Sequence, residues 1–319
     1  MNLAVAESLE ILVVVDNYAD VLLASETGVE RPSNVDGDSI SPDTLLAEHG
    51  LCLLLRAASR SHRSCILLDA GYGPVAAPRN LALMREPLDD VSALVVSHGH
   101  ADHIGALLAV LEAANRPPLI VHPEAFRRPR FNQADNGHLL RMPAMPQRSV
   151  LEREGIEIVD STSPTVVGQI FLVTGEIPRL TSFEHGFLGA RRIVGGKLAH
   201  DPILDDQAVV VDVREQGLVV VSGCAHAGIV NTIRYARELA PGKPIHAVVG
   251  GFHLAGEVKQ SVIDLTLDAI AKERPARVVP MHCTGVRAKR AFANRFGAAC
   301  VDSCVGTRLR FGRRADTGM

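Results

Sequence analysis

Short runs of consecutive apolar residues recur along the chain and predict buried β-strands. Runs of four to eight apolar residues, bounded by turn-forming residues, are typical of strands covered on both faces. A polar stretch at 28–42, rich in Gly, Pro, Ser and Asp, predicts a loop. The strands predicted in this way are 9–15, 51–55, 65–68, 91–96, 119–121, 169–173, 207–213 and 218–221.

The second half of the chain alternates strands with amphipathic helices. Helices are predicted at 229–239 and 258–272, between strands at 218–221, 245–249 and 277–279. This alternation is typical of α/β proteins with parallel strands. Neither an internal repeat nor a linker divides the sequence, so we expect residues 1–319 to form a single domain.

The segment 124–150 departs from this regularity. It contains several prolines and little acid, and a long, poorly periodic loop in an enzyme is often a lid or binding loop. A solvated surface excursion explains it equally well. If it is a lid, its basic side chains suggest a phosphorylated or carboxylated substrate. These side chains are Arg127, Arg128, Arg130, Arg141 and Arg148.

Composition narrows the classes of partner. Lys and Arg total 33 against 36 Asp and Glu, and aromatic residues make up 4% with no Trp, so we expect no nucleic-acid partner. The six scattered cysteines predict reduced core residues. The apolar runs are too short to span a bilayer and no basic N-terminal region precedes them. We therefore expect no membrane partner and a cytoplasmic location.

The stretch 97–103, Ser-His-Gly-His-Ala-Asp-His, carries the strongest chemical signal. It follows the strand at 91–96 and precedes a helix predicted at 104–114. A sharp loop at this point can direct His98 and His100 at one metal ion, and Asp102 and His103 at another. Imidazole and carboxylate ligands suit Zn²⁺, Fe or Mn²⁺, and paired ions can activate a shared water. The sequence therefore predicts a metal site.

Three further histidines follow predicted strands in the second half. His226, His253 and His282 come after the strands at 218–221, 245–249 and 277–279. Ligands collect at the carboxyl ends of strands in such sheets. We predict that His226 and His282 are metal ligands, and for His253 a structural role remains open beside a functional one.

The stretch 97–105, together with Asp69-Ala70-Gly71 after the strand at 65–68, resembles the signature of the metallo-β-lactamase superfamily. The resemblance implies an αββα sandwich, with two mixed sheets face to face, helices outside and a metal site at one edge. Members mostly hydrolyse esters, amides or phosphodiesters, and minorities carry out redox or transfer chemistry. Fold alone does not identify the reaction.

Other motifs are similar to one branch of that superfamily, 7,8-dihydropterin-6-methyl-4-(β-D-ribofuranosyl)aminobenzene 5′-phosphate synthase. This resemblance spans 13–306 and implies transfer of a pterin methyl group with loss of diphosphate, as an arylamine attacks the pterin methylene carbon. The motifs are Asp16-Asn17, Glu48-His49-Gly50, Gly223-Cys224-Ala225-His226, Gly250-Gly251-Phe252-His253 and Met281-His282-Cys283.

One departure from the superfamily pattern concerns the carboxylate that bridges the metals. Gly223-Cys224 stands where a Gly-Asp is usual, so Cys224 or His226 serves instead, or the bridging ligand is absent. We favour His226 and expect Cys224 to face the sheet interior as a small apolar residue.

The resemblance implies a site for two divalent transition-metal ions, with Zn²⁺ favoured over Mn²⁺ or Fe²⁺. Asp102 and His253 are its predicted catalytic residues, His253 as a proton donor or phosphate ligand. Asp69 is expected to orient a ligand histidine, and Glu184-His185 to approach the site or lie on the surface. The predicted ligand sets are His98, His100 and His226 for one ion and Asp102, His103 and His282 for the other.

Three alternatives to the synthase stay open. The chain can be a metallohydrolase of a phosphodiester or lactone, or a catalytically silent metal-binding sensor. A flavodiiron-like oxidoreductase is disfavoured, since it carries an acid in place of His100 and needs a flavin module. The expected partner is a small, phosphorylated molecule, and a homo-oligomer is left open.

Overall fold

Two large β-sheets lie face to face in the computed structural model, which describes residues 3–313. The strands, β1 to β20 in chain order, are Ser8–Val15, Val29–Glu30, Val35–Asp36, Ser39–Ile40, Cys52–Ala58, Arg63–Leu68, Val91–Val95, Leu119–Val121, Arg130–Gln133, Leu139–Arg141, Ile158–Asp160, Thr165–Val167, Phe171–Val173, Ala190–Val194, Lys197–His200, Ala208–Val213, Gly217–Ser222, Ile245–Gly251, Arg277–Met281 and Arg308–Gly312. The α-helices, α1 to α7, are Ala76–Leu83, Ala101–Ile104, Leu107–Ala113, Arg148–Arg153, Ile229–Leu239, Gln260–Glu273 and Val286–Phe296.

Both large sheets are mixed. The first has the strand order β11-β8-β7-β6-β5-β1-β20-β2, with β6, β7, β8 and β11 parallel and β5, β1 and β20 antiparallel. The second has the order β12-β13-β16-β17-β18-β19, in which only β17, β18 and β19 pair in parallel. The predicted sandwich of two mixed sheets is confirmed.

The main core fills the space between the sheets. Side chains alternate between the two faces of a strand, so every second residue of β1 points inward. Leu9, Ile11 and Val13 lie in this core, together with Val219 and Val221 of the second sheet. All are buried, which explains why these strands appear in the sequence as nearly continuous apolar runs.

Helices cover the outer face of each sheet. Leu12 of β1 packs in a separate cluster with Leu81 of α1 and Leu107 of α3. On the opposite side, Ile233 of α5 and Ile263 of α6 pack against the second sheet. The layers therefore follow the order helix, sheet, sheet, helix, and none of the helices within residues 3–313 has the length and apolar character that a membrane crossing needs.

The predicted helix at 104–114 is shorter than expected and begins later, as α3 at Leu107–Ala113. A separate helical turn, α2, covers Ala101–Ile104, mostly within the stretch expected to be a loop. Gly105 and Ala106, whose ψ of 14° is not helical, separate the two. Gly105 donates its N–H to Gly71 at 2.8 Å, and a Cβ there would lie 1.5 Å from the carbonyl oxygen of Tyr72, a close backbone contact that periodicity does not reveal. By contrast, α5 has the predicted bounds of 229–239.

The segment 124–150 contains regular structure. Its strands β9 and β10 join β14 and β15 in a four-stranded antiparallel sheet of order β10-β9-β14-β15. Three of its arginines form ion pairs: Arg127 with Glu124, Arg130 with Asp201 and Asp205, and Arg148 with Asp160. The lid role stays a prediction. Short strands, β2 to β4, also lie in the predicted loop at 28–42.

The core between the sheets should dominate stability. Phe171 of β13 is fully buried there, so Phe171→Ala should lower the free energy of unfolding by about 3–5 kcal/mol. Leu22→Ala serves as the control, because Leu22 is 88% exposed and should change stability by less than about 0.5 kcal/mol. Urea unfolding followed by circular dichroism measures both, and equal effects of the two variants would contradict this packing.

Candidate metal centre

The predicted ligands gather where four strands end. His98 follows β7 of the first sheet, and His226, His253 and His282 follow β17, β18 and β19 of the second. Because the carboxyl ends of parallel strands lie at one edge of a sheet, the loops that follow them meet. The structure therefore brings together side chains that are up to 184 positions apart in sequence, His98 and His282 being the extremes.

The loops that carry the site adopt unusual backbone conformations. Positive φ angles occur at Asp69 (64°), Ala225 (53°), His253 (45°) and His282 (49°). Residues with side chains adopt this left-handed region rarely, at a cost of about 1–3 kcal/mol each. At His282, the Asp16 carboxylate helps to fix the loop by accepting the backbone N–H at 2.9 Å. The side chains are thus held in position by their surroundings.

One group of metal-ligand atoms contains His98, Cys224 and His226, all buried. The Nε2 atoms of His98 and His226 face each other at 3.1 Å. The His100 ring lies 4.6 Å from the ring of His98 and 4.8 Å from that of His226, between centroids. Among the described residues, the group whose donor atoms all lie within 4.8 Å of one another does not include His100. The structure places His100 beside its predicted partners.

A second group contains Asp102, His103, Cys224 and His282. Oδ2 of Asp102 lies 3.2 Å from Nε2 of His282 and 3.7 Å from Nε2 of His103. This group brings together the three side chains predicted for the second ion, and it adds a thiol.

Cys224 does not lie in the sheet interior as an apolar residue, contrary to the expectation from sequence. Its Sγ is 3.1 Å from Nε2 of His103 and belongs to both groups described above. Burial raises the pKa of this thiol well above its ordinary value. A metal ion that binds the sulfur as thiolate must therefore displace a proton. The Gly-Cys departure from the superfamily pattern was the signal that could have identified it.

His253 lies next to these groups. Its ring centroid is 4.3 Å from that of His226 and 5.3 Å from that of Phe187. Phe187, on the loop before β14, therefore covers one side of the histidine cluster.

A third set of close donor atoms contains His253, Cys224 and Cys283.

Asp69 supports the second group, as predicted. Its Oδ2 lies 2.6 Å from Nδ1 of His103, which leaves Nε2 of that ring directed at Cys224. Asp69 also accepts hydrogen bonds at 2.7 Å from both the backbone N–H and the hydroxyl of Ser97. A carboxylate in this position fixes the tautomer and orientation of a ligand imidazole.

Two buried carboxylates that the sequence did not identify support the loops of the first group. Asp205 accepts the backbone N–H of Gly99 at 2.7 Å and pairs with Arg130. Asp206 accepts the backbone N–H of Ala227 at 2.8 Å, and burial raises its pKa to about 6. These contacts hold the loops around His98 and His226.

The remaining sequence candidates occupy different places. His49 lies at the exposed side of the second group, with Nε2 3.6 Å from Asp102 Oδ2, and Asn17 connects it to His282. Glu184 accepts the backbone N–H groups of Val230 and Asn231 at the start of α5, while His185 is exposed. Glu184 thus supports the loop after β17 and does not join a donor group.

The protonation of most donors suits metal ions, and His103 is the exception, because an ion that binds its ring must displace a proton. Burial holds the pKa of His98 and His226 well below the ordinary value and lowers that of His100 to about 3, so these imidazoles are neutral. Burial would raise the pKa of Asp102, but His103 and His282 hold it below the ordinary range. Burial lowers the pKa of His103, yet Asp69 and Asp102 outweigh this and raise it to about 9.

The donor set fits divalent transition metals. Among the described residues, the buried Nδ1 atom of His253 and the buried Nε2 atom of His282 have no hydrogen-bond partner. Buried polar atoms are normally paired, so unpaired ones in a cluster of imidazoles, a carboxylate and a thiol indicate a cation site. Imidazole, carboxylate and thiolate are the ligands that Zn²⁺ takes in proteins.

Comparisons with known proteins identify the family. A model described as the metallo-beta-lactamase superfamily matches residues 47–282. The Methanocaldococcus jannaschii protein named 7,8-dihydropterin-6-methyl-4-(beta-D-ribofuranosyl)-aminobenzene-5'-phosphate synthase is 26% identical over 259 residues, which cover 78% of this chain and 85% of that protein. A second protein of the same organism, uncharacterized protein MJ0448, is 28% identical over 272 residues, 84% of this chain and 97% of that protein.

A solved structure gives the same result for the fold. Tm1679, described as a metal-dependent hydrolase of the beta-lactamase superfamily, matches with a TM-score of 0.72 at 23% identity, over 96% of this chain and 100% of that one. The resemblance inferred from the sequence motifs, to the superfamily and to the synthase branch, is confirmed.

The contact between Asp69 and His103 should control metal affinity. Asp69→Asn removes the negative charge that orients the imidazole and should weaken binding of one ion by about 10–100-fold. Asp264→Asn is the control, because Asp264 is exposed on α6. Competition with a chromogenic chelator measures both affinities. Unchanged affinity in Asp69→Asn would show that this contact does not support a ligand.

Proposed function

The chain belongs to the metallo-β-lactamase superfamily, and we propose that it is an enzyme that uses two divalent transition-metal ions, Zn²⁺ foremost, to act on a small molecule. The observation that carries this proposal is the pair of donor groups at the strand ends. They share Cys224 and hold, respectively, two histidines and an Asp-His-His set. A catalytically silent relative would be expected to lack some of these donors.

We assign one ion to His98, His100 and His226 and the other to Asp102, His103 and His282. Cys224 is placed to contribute to either. When bound, such ions activate water and neutralise charge that develops on a phosphoryl or carbonyl oxygen. The protein itself provides the alignment: Asp69 orients His103, while Asp205 and Asp206 hold the loops of His98 and His226. Phe187 limits the access of water beside His253.

For the reaction, we propose first the transfer chemistry of the named synthase. In that reaction the arylamine nitrogen bonds to the pterin methylene carbon as the carbon–oxygen bond to diphosphate breaks, and the nitrogen loses a proton. His253 is placed to protonate the departing diphosphate or to bind one of its oxygens. The sequence similarity to the synthase carries this choice, although the uncharacterized relative is equally similar.

Hydrolysis of a phosphodiester or lactone is the second candidate. Most members of the superfamily are metal-dependent hydrolases, and one observation favours an uncharged ester such as a lactone over a phosphorylated substrate here. Arg127, Arg130 and Arg148, which the sequence offered as phosphate ligands, are engaged in ion pairs with carboxylates. The structure therefore provides less cationic charge for a phosphorylated substrate than the sequence suggested.

A substrate panel distinguishes these reactions. The purified protein should be assayed with a pterin diphosphate plus the aminobenzene ribotide 5′-phosphate, with phosphodiesters and with lactones. Turnover of the first pair supports the synthase, and turnover of an ester alone supports the hydrolase. Metal content near two ions per chain, without turnover of any of these substrates, would favour the sensor hypothesis over both reactions.

Replacement of a central ligand should remove metal and activity together. His98→Ala should lose at least one ion, with a loss of turnover larger than the roughly 10–100-fold that supporting residues cost. His138→Ala is the matched control, because His138 is an exposed histidine in the turn between β9 and β10. Elemental analysis and steady-state kinetics measure both properties. Full metal content and activity in His98→Ala would refute the proposed centre.

His253 should behave differently from the ligands. In protein purified without added metal, His253→Ala should keep near-full metal content and lose turnover, since a proton donor acts on the substrate and not on the ions. Elemental analysis beside steady-state kinetics decides this. Loss of a metal ion at this loading would make His253 a ligand of the centre, and unchanged kinetics would give it a structural role.

A further inference from the structure

Three adjacent parallel strands each place a metal-ligand side chain two residues beyond their end. β17 ends at Ser222, β18 at Gly251 and β19 at Met281, and the corresponding residues are Cys224, His253 and Cys283. The pairing of Ser222 with Gly250 and of Gly251 with Met281 keeps the strand ends in step. Equal offsets from aligned strand ends bring the three side chains to one place.

The side-chain donors of these residues lie within 4.8 Å of one another. Both cysteines are buried and neither forms a disulfide. Gly251, between them in the sheet, leaves the necessary space, because a Cβ there would lie 2.6 Å from Sγ of Cys283. Cys283 itself has only a weak contact, 3.7 Å from its Sγ to the carbonyl oxygen of Cys224.

His253 supplies the second indication of a ligand. Its buried Nδ1 has no hydrogen-bond partner in the described part of the chain, and its backbone is held at a φ of 45°. A buried polar atom that is held in a strained loop without a hydrogen-bond partner is typical of a ligand-binding site. Neither the proposed reaction nor the two donor groups of the centre use Cys283.

We propose that Cys224, His253 and Cys283 form an additional binding position for one thiophilic divalent cation, Zn²⁺ in excess or Cd²⁺. Two thiolates and an imidazole select such ions over Mn²⁺ or Mg²⁺, which prefer oxygen ligands. Cys224 belongs both to this position and to the two donor groups of the centre, whereas His253 and Cys283 belong to this position alone. The ion displaces the thiol protons of Cys224 and Cys283 to solvent, and no electrons are transferred.

This position has a consequence for activity that rests on the proposed function. An ion bound to His253 occupies the side chain that we assign to proton transfer. Zn²⁺ beyond the first two ions should therefore inhibit turnover, and the inhibition should require Cys283. The position thus makes the enzyme sensitive to excess soft metal.

Metal stoichiometry tests the position without reference to activity. Wild-type protein, kept reduced with a phosphine, is dialysed to equilibrium against Cd²⁺, and bound metal and thiolate-to-cadmium absorption are measured. We expect three ions in the wild type and two in Cys283→Ser, with lower thiolate absorption in the variant. Cys304→Ser is the control, since Cys304 is a buried free thiol outside all three groups, and it should bind three.

The outcomes separate this inference from the proposed function. Binding of only two ions by the wild type, or of equal numbers by wild type and Cys283→Ser, would overturn the additional position and leave the two-ion centre intact. Fewer than two ions in the wild type would overturn the centre itself. With a substrate identified, Zn²⁺ inhibition that is abolished in Cys283→Ser supports the consequence for turnover, and inhibition that persists contradicts it.

Discussion

Parallel pairing of β17, β18 and β19 is the constraint on which the rest of the site depends. Parallel strands end at the same edge, so the loops that follow them must meet there. The chain connects these strands through α5 and α6, which cross the outer face of the sheet and bury Ile233 and Ile263 against it. Hydrophobic packing on that face therefore positions the strand ends, and the short loops that follow them direct the donor side chains toward one another.

Buried carboxylates complete the positioning, and two of them are compensated by neighbouring groups. An isolated charge in a protein interior is strongly destabilising, so buried acids require pairing and hydrogen bonds. Asp205 has Arg130 and the Gly99 amide, and Asp69 has His103 and Ser97. Arg130 belongs to the segment 124–150, so part of that segment supports the loop that carries His98. The apolar pattern of this segment predicts no regular structure, but its arginines form ion pairs with carboxylates.

The sequence predicted the features that local pattern determines. Apolar runs located most core strands, and a dense histidine motif predicted donor residues that the structure brings together. The missed features depend on contacts distant in sequence. Gly105, between α2 and α3, lies against the backbone of Tyr72, and Asp206 supports the loop after β17 because it accepts the Ala227 amide N–H. We expect Cys224 from the sequence to face the sheet interior as a small apolar residue, but its Sγ lies 3.1 Å from Nε2 of His103, a contact that burial alone does not predict.

The same donors tie the stability of the fold to metal. Among the described residues, the buried Nε2 atom of His282 has no hydrogen-bond partner, although His282 belongs to the second donor group. A buried polar atom without a partner costs about 1–3 kcal/mol. A cation bound by this atom would remove that cost in the folded state alone, because the unfolded chain does not assemble the site. Binding free energy then adds to folding free energy. The same argument applies to the strained backbone at Ala225, His253 and His282. The core between the sheets stabilises these loops without metal, and bound ions would add to that stability.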